Sequence, residues 1–129
     1  MKFTSYASRM RGTTVYLYGG KALDFDTGGG LEDVLEAFLK AGAKRVVITL
    51  GPMKFLHATL FSTLLNIQRQ LAERGGDLVL AEVPWFVEQS LSDLGVLHRF
   101  AIVPSAQTVE RAEQVKVNLD ALTGRNLLG

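Results

Sequence analysis

Arg45-Val46-Val47-Ile48-Thr49-Leu50-Gly51-Pro52 decides how the rest of this chain is read. An apolar, β-branched run without polar alternation fits a strand covered on both faces, and Gly-Pro ends it. Such a strand needs helices packed over it, and helical periodicity flanks it on both sides. Upstream, Leu31, Val34, Leu35, Phe38 and Ala41 recur at helical spacing. Glu32 and Asp33 sit in that helix's first turn, Lys40 in its last, and Gly42 follows as a cap. Downstream, a second helix is predicted from Ala58 to Arg74, with Phe61, Leu64, Leu65, Gln68 and Leu71 on its inner side and Gly75-Gly76 as the stop.

Further out, Thr14 to Tyr18 reads as a strand closed by Gly19-Gly20, and Phe3 to Ser8 is expected to pair with it across a turn at Arg11-Gly12. Asp77 to Glu82 is another strand, Pro84 opens a short helix ending at Gly95, and Phe100 to Val103 is the last strand. Ser105 then caps a final helix whose inner face is expected to hold Val109, Ala112, Val115 or Lys116, Leu119 and Leu122. The order β-β-α-β-α-β-α-β-α predicts an α/β fold with a mixed, mainly parallel sheet and right-handed crossovers. One domain over residues 1–122 and a tail over 123–129 are expected.

Composition excludes several classes. With 129 residues, 47% hydrophobic and 21% charged, the chain is of ordinary globular make-up and long enough for a core without staples. Fourteen Lys and Arg against thirteen Asp and Glu leave +1, without the basic excess that tracks phosphates, so no nucleic-acid partner is expected. The absence of cysteine removes disulfides and thiolate metal sites. No signal-peptide stretch opens the chain, and no apolar run approaches the roughly 18 residues of a span. A soluble, cytoplasmic domain without direct membrane insertion is the expectation.

Catalytic and cofactor motifs fare poorly. Gly19-Gly20-Lys21 is followed by Ala22 where a phosphate loop needs a hydroxyl, and Gly28 to Gly30 lack that loop's spacing, although they precede a helix whose N-terminus attracts anions. His57 and His98 lie far apart, with no carboxylate at metal-motif spacing. Asp24 and Asp26 read as solvated turn residues rather than a carboxylate pair across a cleft. No G-x-S-x-G elbow exists. No enzyme activity, cofactor or metal is expected.

The element order and several local stretches together resemble the STAS domain family, the fold of bacterial anti-sigma factor antagonists, over about residues 3–119. Gly20-Lys21-Ala22-Leu23-Asp24-Phe25-Asp26-Thr27 is similar to the family's G-E-L-D-x-x-T with one extra residue. Phe55-Leu56-His57-Ala58-Thr59-Leu60-Phe61 occupies the place of its signature F-x-D-S-[ST]-G-[LI]. Arg74-Gly75-Gly76-Asp77-Leu78-Val79-Leu80 matches R-G-G-x-L-x-L, and Leu94 to Phe100 followed by Pro104-Ser105 is similar to the run into the last helix.

The resemblance implies a regulatory module whose signature serine is phosphorylated by a partner anti-sigma kinase. Its mapping puts Ala58 at that serine and His57 at the preceding aspartate. Alanine has no hydroxyl to phosphorylate. Thr59 is then a first-turn or capping threonine, a substitute phosphoacceptor, or a contact residue. Leu60, in place of a small glycine, either widens the helix's core face or adds apolar surface to a docking patch. Of Trp85 and Phe86, at least one is expected in the core, and the other is either core as well or exposed, where a Trp would serve as an anchor. The expected partner face therefore comprises Asp24, His57, Ala58, Thr59, Leu60 and Trp85. The implied partner is a kinase-like anti-sigma factor or related regulator, and a homodimer is compatible. A regulatory subunit of a membrane transporter and a nucleotide-sensing domain are the alternative roles.

Overall fold

The computed structural model describes residues 6–26 and 29–123, with the side chains of 120, 121 and 123 left aside. Strands β1 (Ala7–Arg11), β2 (Thr14–Tyr18), β3 (Arg45–Thr49), β4 (Asp77–Ala81) and β5 (Ala101–Val103) form one sheet in the order β1-β2-β3-β4-β5. β1 runs antiparallel to β2, and every later pairing is parallel. The helices are α1 (Gly30–Lys40), α2 (Ala58–Glu73), α3 (Trp85–Asp93) and α4 (Ala106–Thr123). The α/β architecture and the mainly parallel sheet are as the element order predicted.

Strand alternation divides the core in two. Val15, Leu17, Val46, Ile48, Leu78 and Leu80 point to one face, where Leu31, Leu35, Leu39, Leu60, Leu64, Ile67, Leu71, Val87 and Leu91 from α1, α2 and α3 cover them. Tyr16, Val47, Val79 and Ala81 point to the other and meet Ala106 and Val109 of α4. Val46 to Leu50 are all buried, as a central strand requires.

Four local expectations are corrected. The first strand begins at Ala7 and turns at Gly12-Thr13; residues 3–5 of the expected strand lie outside the described residues. The inner side of α2 is Leu60, Thr63, Leu64, Ile67 and Leu71, while Phe61, Leu65 and Gln68 are half-buried at its flank. Two short 3₁₀ helices, Gly20–Phe25 and Leu97–Arg99, fill segments expected to be loops.

The fourth correction concerns α4, where Val109 is buried but Ala112, Val115, Leu119 and Leu122 are exposed. The helix starts just after the C-terminal end of β5, and Glu113 already reaches Thr14 and Arg45 at the opposite strand ends. By Glu113 it has crossed the sheet, and its last turns have no strand beneath them. The expected tail lies, beyond Thr123, outside the described residues.

Candidate partner-binding rim

The C-terminal ends of the parallel strands open onto one rim, where loops rather than ladders must satisfy the main chain. After β2, the 3₁₀ helix Gly20–Phe25 carries Asp24 and Asp26 inward, and both are buried. Sequence reading placed them in solvent; the structure gives each carboxylate a set of backbone amides instead.

Asp24 reaches across to the segment between β3 and α2. Its Oδ1 accepts the N–H groups of Lys54 at 2.8 Å and Phe55 at 2.9 Å. Asp26 lies just before α1, with Oδ1 accepting from Gly30 N–H at 2.9 Å and Oδ2 from Leu31 N–H at 2.7 Å. The Tyr6 hydroxyl donates to the same carboxylate. Burial, then this hydrogen bond and the adjacent negative charge, push the Tyr6 hydroxyl far above its ordinary range. The carboxylate at the start of α1 is therefore the chain's own Asp26, which occupies the helix end that the glycine run precedes. Gly28 itself lies outside the described residues.

His57 is the N-cap residue of α2 with φ −72° and ψ 150°, but its side chain makes no capping hydrogen bond. The ring turns back instead, and Nε2 lies 2.6 Å from the carbonyl oxygen of Asp24. Since a carbonyl only accepts, Nε2 carries the proton. Asp24 and His57 are thus brought together, cross-tying the segments after β2 and β3.

Ala58 and Thr59 follow on the first turn of α2 and are exposed. Thr59 also borders a narrow crevice with Asp26 and Gly29. Leu60 is 3% exposed and belongs to the core, so of the two readings of this residue the core one describes its position. Trp85 is 79% exposed and packs edge-on against half-buried Phe86, with ring centroids 6.2 Å apart. Phe86 packs against the core, and of the two alternatives for the second ring Trp85 takes the exposed one. Trp85 shares the rim with His57 through the loops after β3 and β4, which come so close that a Cβ on Gly51 would sit 3.0 Å from the Glu82 carbonyl oxygen.

Two aromatic residues of this rim were not singled out from sequence. Phe25 is 77% exposed and Phe55 58%, on the two segments that Asp24 and His57 tie together. The Phe55 ring lies 6.2 Å from the His57 imidazole. Phe25 sits between two aspartates whose burial leaves the intervening residue pointing outward, a signal visible only once that burial is known.

A five-stranded mixed sheet with three helices on one face and a fourth on the other defines an α/β domain with an exposed rim at its strand ends. The STAS domain family matches residues 8–112, and the chain belongs to that family. Among solved structures, it is similar to an anti-sigma factor antagonist (STAS) domain protein from Planctomyces limnophilus, with TM-score 0.70 and 12% identity, covering 83% of this chain and 96% of that one. It is also similar to the anti-sigma factor antagonist SpoIIAA in its unphosphorylated form, with TM-score 0.68 and 13% identity over 85% and 97% of the two chains. The phosphorylated form of the Bacillus cell fate determinant SpoIIAA gives TM-score 0.65 and 12% identity over 84% and 99%. At these identities the likeness is one of fold. No curated protein matches the sequence. Among the described residues, no helix is long and apolar enough to cross a membrane.

Proposed function

We propose that this domain is a regulatory protein–protein interaction module, an anti-sigma factor antagonist-like protein that docks through the rim at the start of α2 without a phosphoryl switch at position 58. The observation that supports this reading is the exposed methyl of Ala58 on the first turn of α2, the position to which the sequence resemblance maps the family's phosphoacceptor serine. His57, Ala58, Thr59 and Trp85 supply the accessible part of the face, with Phe25 and Phe55 beside them. Buried Asp24 positions the segment without being presented itself. Exposed aromatic residues are the side chains that anchor interfaces best. The partner in this reading is a kinase-like anti-sigma factor in the cytoplasm, and the module performs no catalysis.

Ala58→Asp tests the face. A carboxylate there must be desolvated without a counter-ion on docking, which weakens binding by about 2–4 kcal/mol. Folding stability moves by only about 0.5 kcal/mol, because an exposed acid in a first helical turn suits the dipole. Lys116→Glu on α4, at the other end of the sheet, is the control. Calorimetry uses the anti-sigma protein recovered from the native host, and the same kinase with ATP should leave residues 55–61 unmodified in peptide mapping. Unchanged binding by Ala58→Asp with loss in Lys116→Glu rejects the face. Stoichiometric phosphate on Thr59 rejects the absence of a switch.

A further inference from the structure

At the end of the sheet opposite this rim, the hairpin turn after β1, the starts of β3 and β4 and the middle of α4 enclose an open groove of about 780 Å³. Its charge is unlike that of the molecule around it. Arg11, Lys44, Arg45 and Lys116 line it together with Asp77 and Glu113, four cations against two acids. The whole chain carries only +1, from fourteen cations and thirteen acids, whereas the described residues lining the groove alone contribute +2.

The two acids are already engaged. Asp77 takes Arg45 Nε at 2.8 Å through Oδ1 and its terminal nitrogen at 3.3 Å through Oδ2. Glu113 accepts the hydroxyls of Thr14 and Tyr16, both at 2.9 Å, and lies 3.6 Å from the other terminal nitrogen of Arg45. Arg45 is thus matched by two carboxylates, while Arg11, Lys44 and Lys116 have no ion pair among the described residues. The negative end of α1 is met as well, since Arg74 donates to the Leu39 carbonyl at 2.6 Å. Gly12, Gly75 and Gly76 leave the walls low. Among the described residues that line the groove no aromatic ring offers a stack for a nucleobase, and Val117 is the one large apolar side chain.

From this arrangement we infer that the groove binds a compact, multiply charged phosphate group through Arg11, Lys44 and Lys116. Guanidinium and ammonium groups are the side chains that recognise phosphate, and the volume falls within the usual range for small-molecule sites. The recognised chemistry is the multiply charged phosphate moiety alone, whether free or carried on a nucleotide, and not the singly charged phosphodiester of a lipid surface.

Calorimetric titration with pyrophosphate at low ionic strength, where charge recognition is least screened, reads the site directly. Wild type shows saturable one-to-one binding, and Lys44→Gln/Lys116→Gln weakens it at least about tenfold. Lys21→Gln/Lys54→Gln removes the same charge from the opposite rim and leaves binding intact. Circular dichroism verifies each fold, and Arg11→Gln supplies the readout if the groove pair does not fold. ATP binds within about tenfold of pyrophosphate, and vesicles of phosphatidylglycerol do not sediment the protein in its place. No saturable binding, or equal loss in both lysine pairs, overturns the site. Much tighter binding of ATP, or capture by vesicles, overturns recognition of the phosphate alone.

Discussion

The His57 imidazole donates from Nε2 to the main-chain carbonyl of Asp24 at 2.6 Å, while the Asp24 carboxylate holds the segment that leads into His57. The two residues therefore brace each other across sequence-distant loops. Asp24→Ala leaves the Lys54 and Phe55 amides without acceptors, at a cost of about 2–3 kcal/mol. Hydrogen exchange should accelerate at Lys54 and Phe55 and stay slow in β3. Unchanged protection at both amides would show that the carboxylate is not what holds this loop.

Asp26 is a heavier loss. Asp26→Ala strips acceptors from Gly30, Leu31 and the Tyr6 hydroxyl at a site only 4% exposed. We expect about 3 kcal/mol of destabilisation in urea melts, with Asp26→Asn recovering part of it through its remaining carbonyl oxygen. A loss below about 1 kcal/mol contradicts this account of the α1 cap.

Leu60→Ala separates packing from docking. The side chain is buried among the residues between α2 and the sheet, so truncation should cost about 2–5 kcal/mol of folding free energy. A neutral effect on stability would place Leu60 on the surface.

Tyr16 gives the fold an alkaline limit. Its burial, followed by the hydrogen bond to Glu113 and that residue's charge, pushes the hydroxyl up to about 12, against the pull of Arg11 and Arg9. The neutral phenol is thus the form the fold favours. Its stabilisation is complete below the unfolded value of 10.0 and is lost as pH rises through the folded value of about 12. Tyr16→Phe lacks this term, so its stability deficit relative to wild type should narrow between those two pH values. A deficit that stays constant through the window argues that Tyr16 is not a titrating contributor.

Much of the architecture was legible because parallel sheets write themselves as buried runs. Val46 to Leu50 demanded helices on both sides, and those helices carry clear periodicity. The rotation of α2 was less legible, since Phe61 and Leu65 offer an apolar face as plausible as Leu60 and Ile67, and the buried Thr63 carries no apolar signal. The spacing of Val115, Leu119 and Leu122 suggested a core face, but periodicity does not record where the sheet beneath a helix ends. The candidate site was visible only in part. His57 to Thr59 stand at a recognisable position, whereas the burial of Asp24 and Asp26 depends on amides supplied by other segments, in the case of Asp24 thirty residues away.

Gly75 and Gly76 look interchangeable in the sequence, yet the fold constrains them by different means. Gly75 has φ +76° with open space where a side chain would go, so alanine there meets backbone strain and nothing else. At Gly76 a Cβ would lie 1.7 Å from the Lys44 carbonyl oxygen, which is rigid main chain that cannot swing aside. Randomising this dipeptide should accordingly return asparagine alongside glycine at position 75 and glycine alone at position 76, because one site filters by torsion and the other by volume.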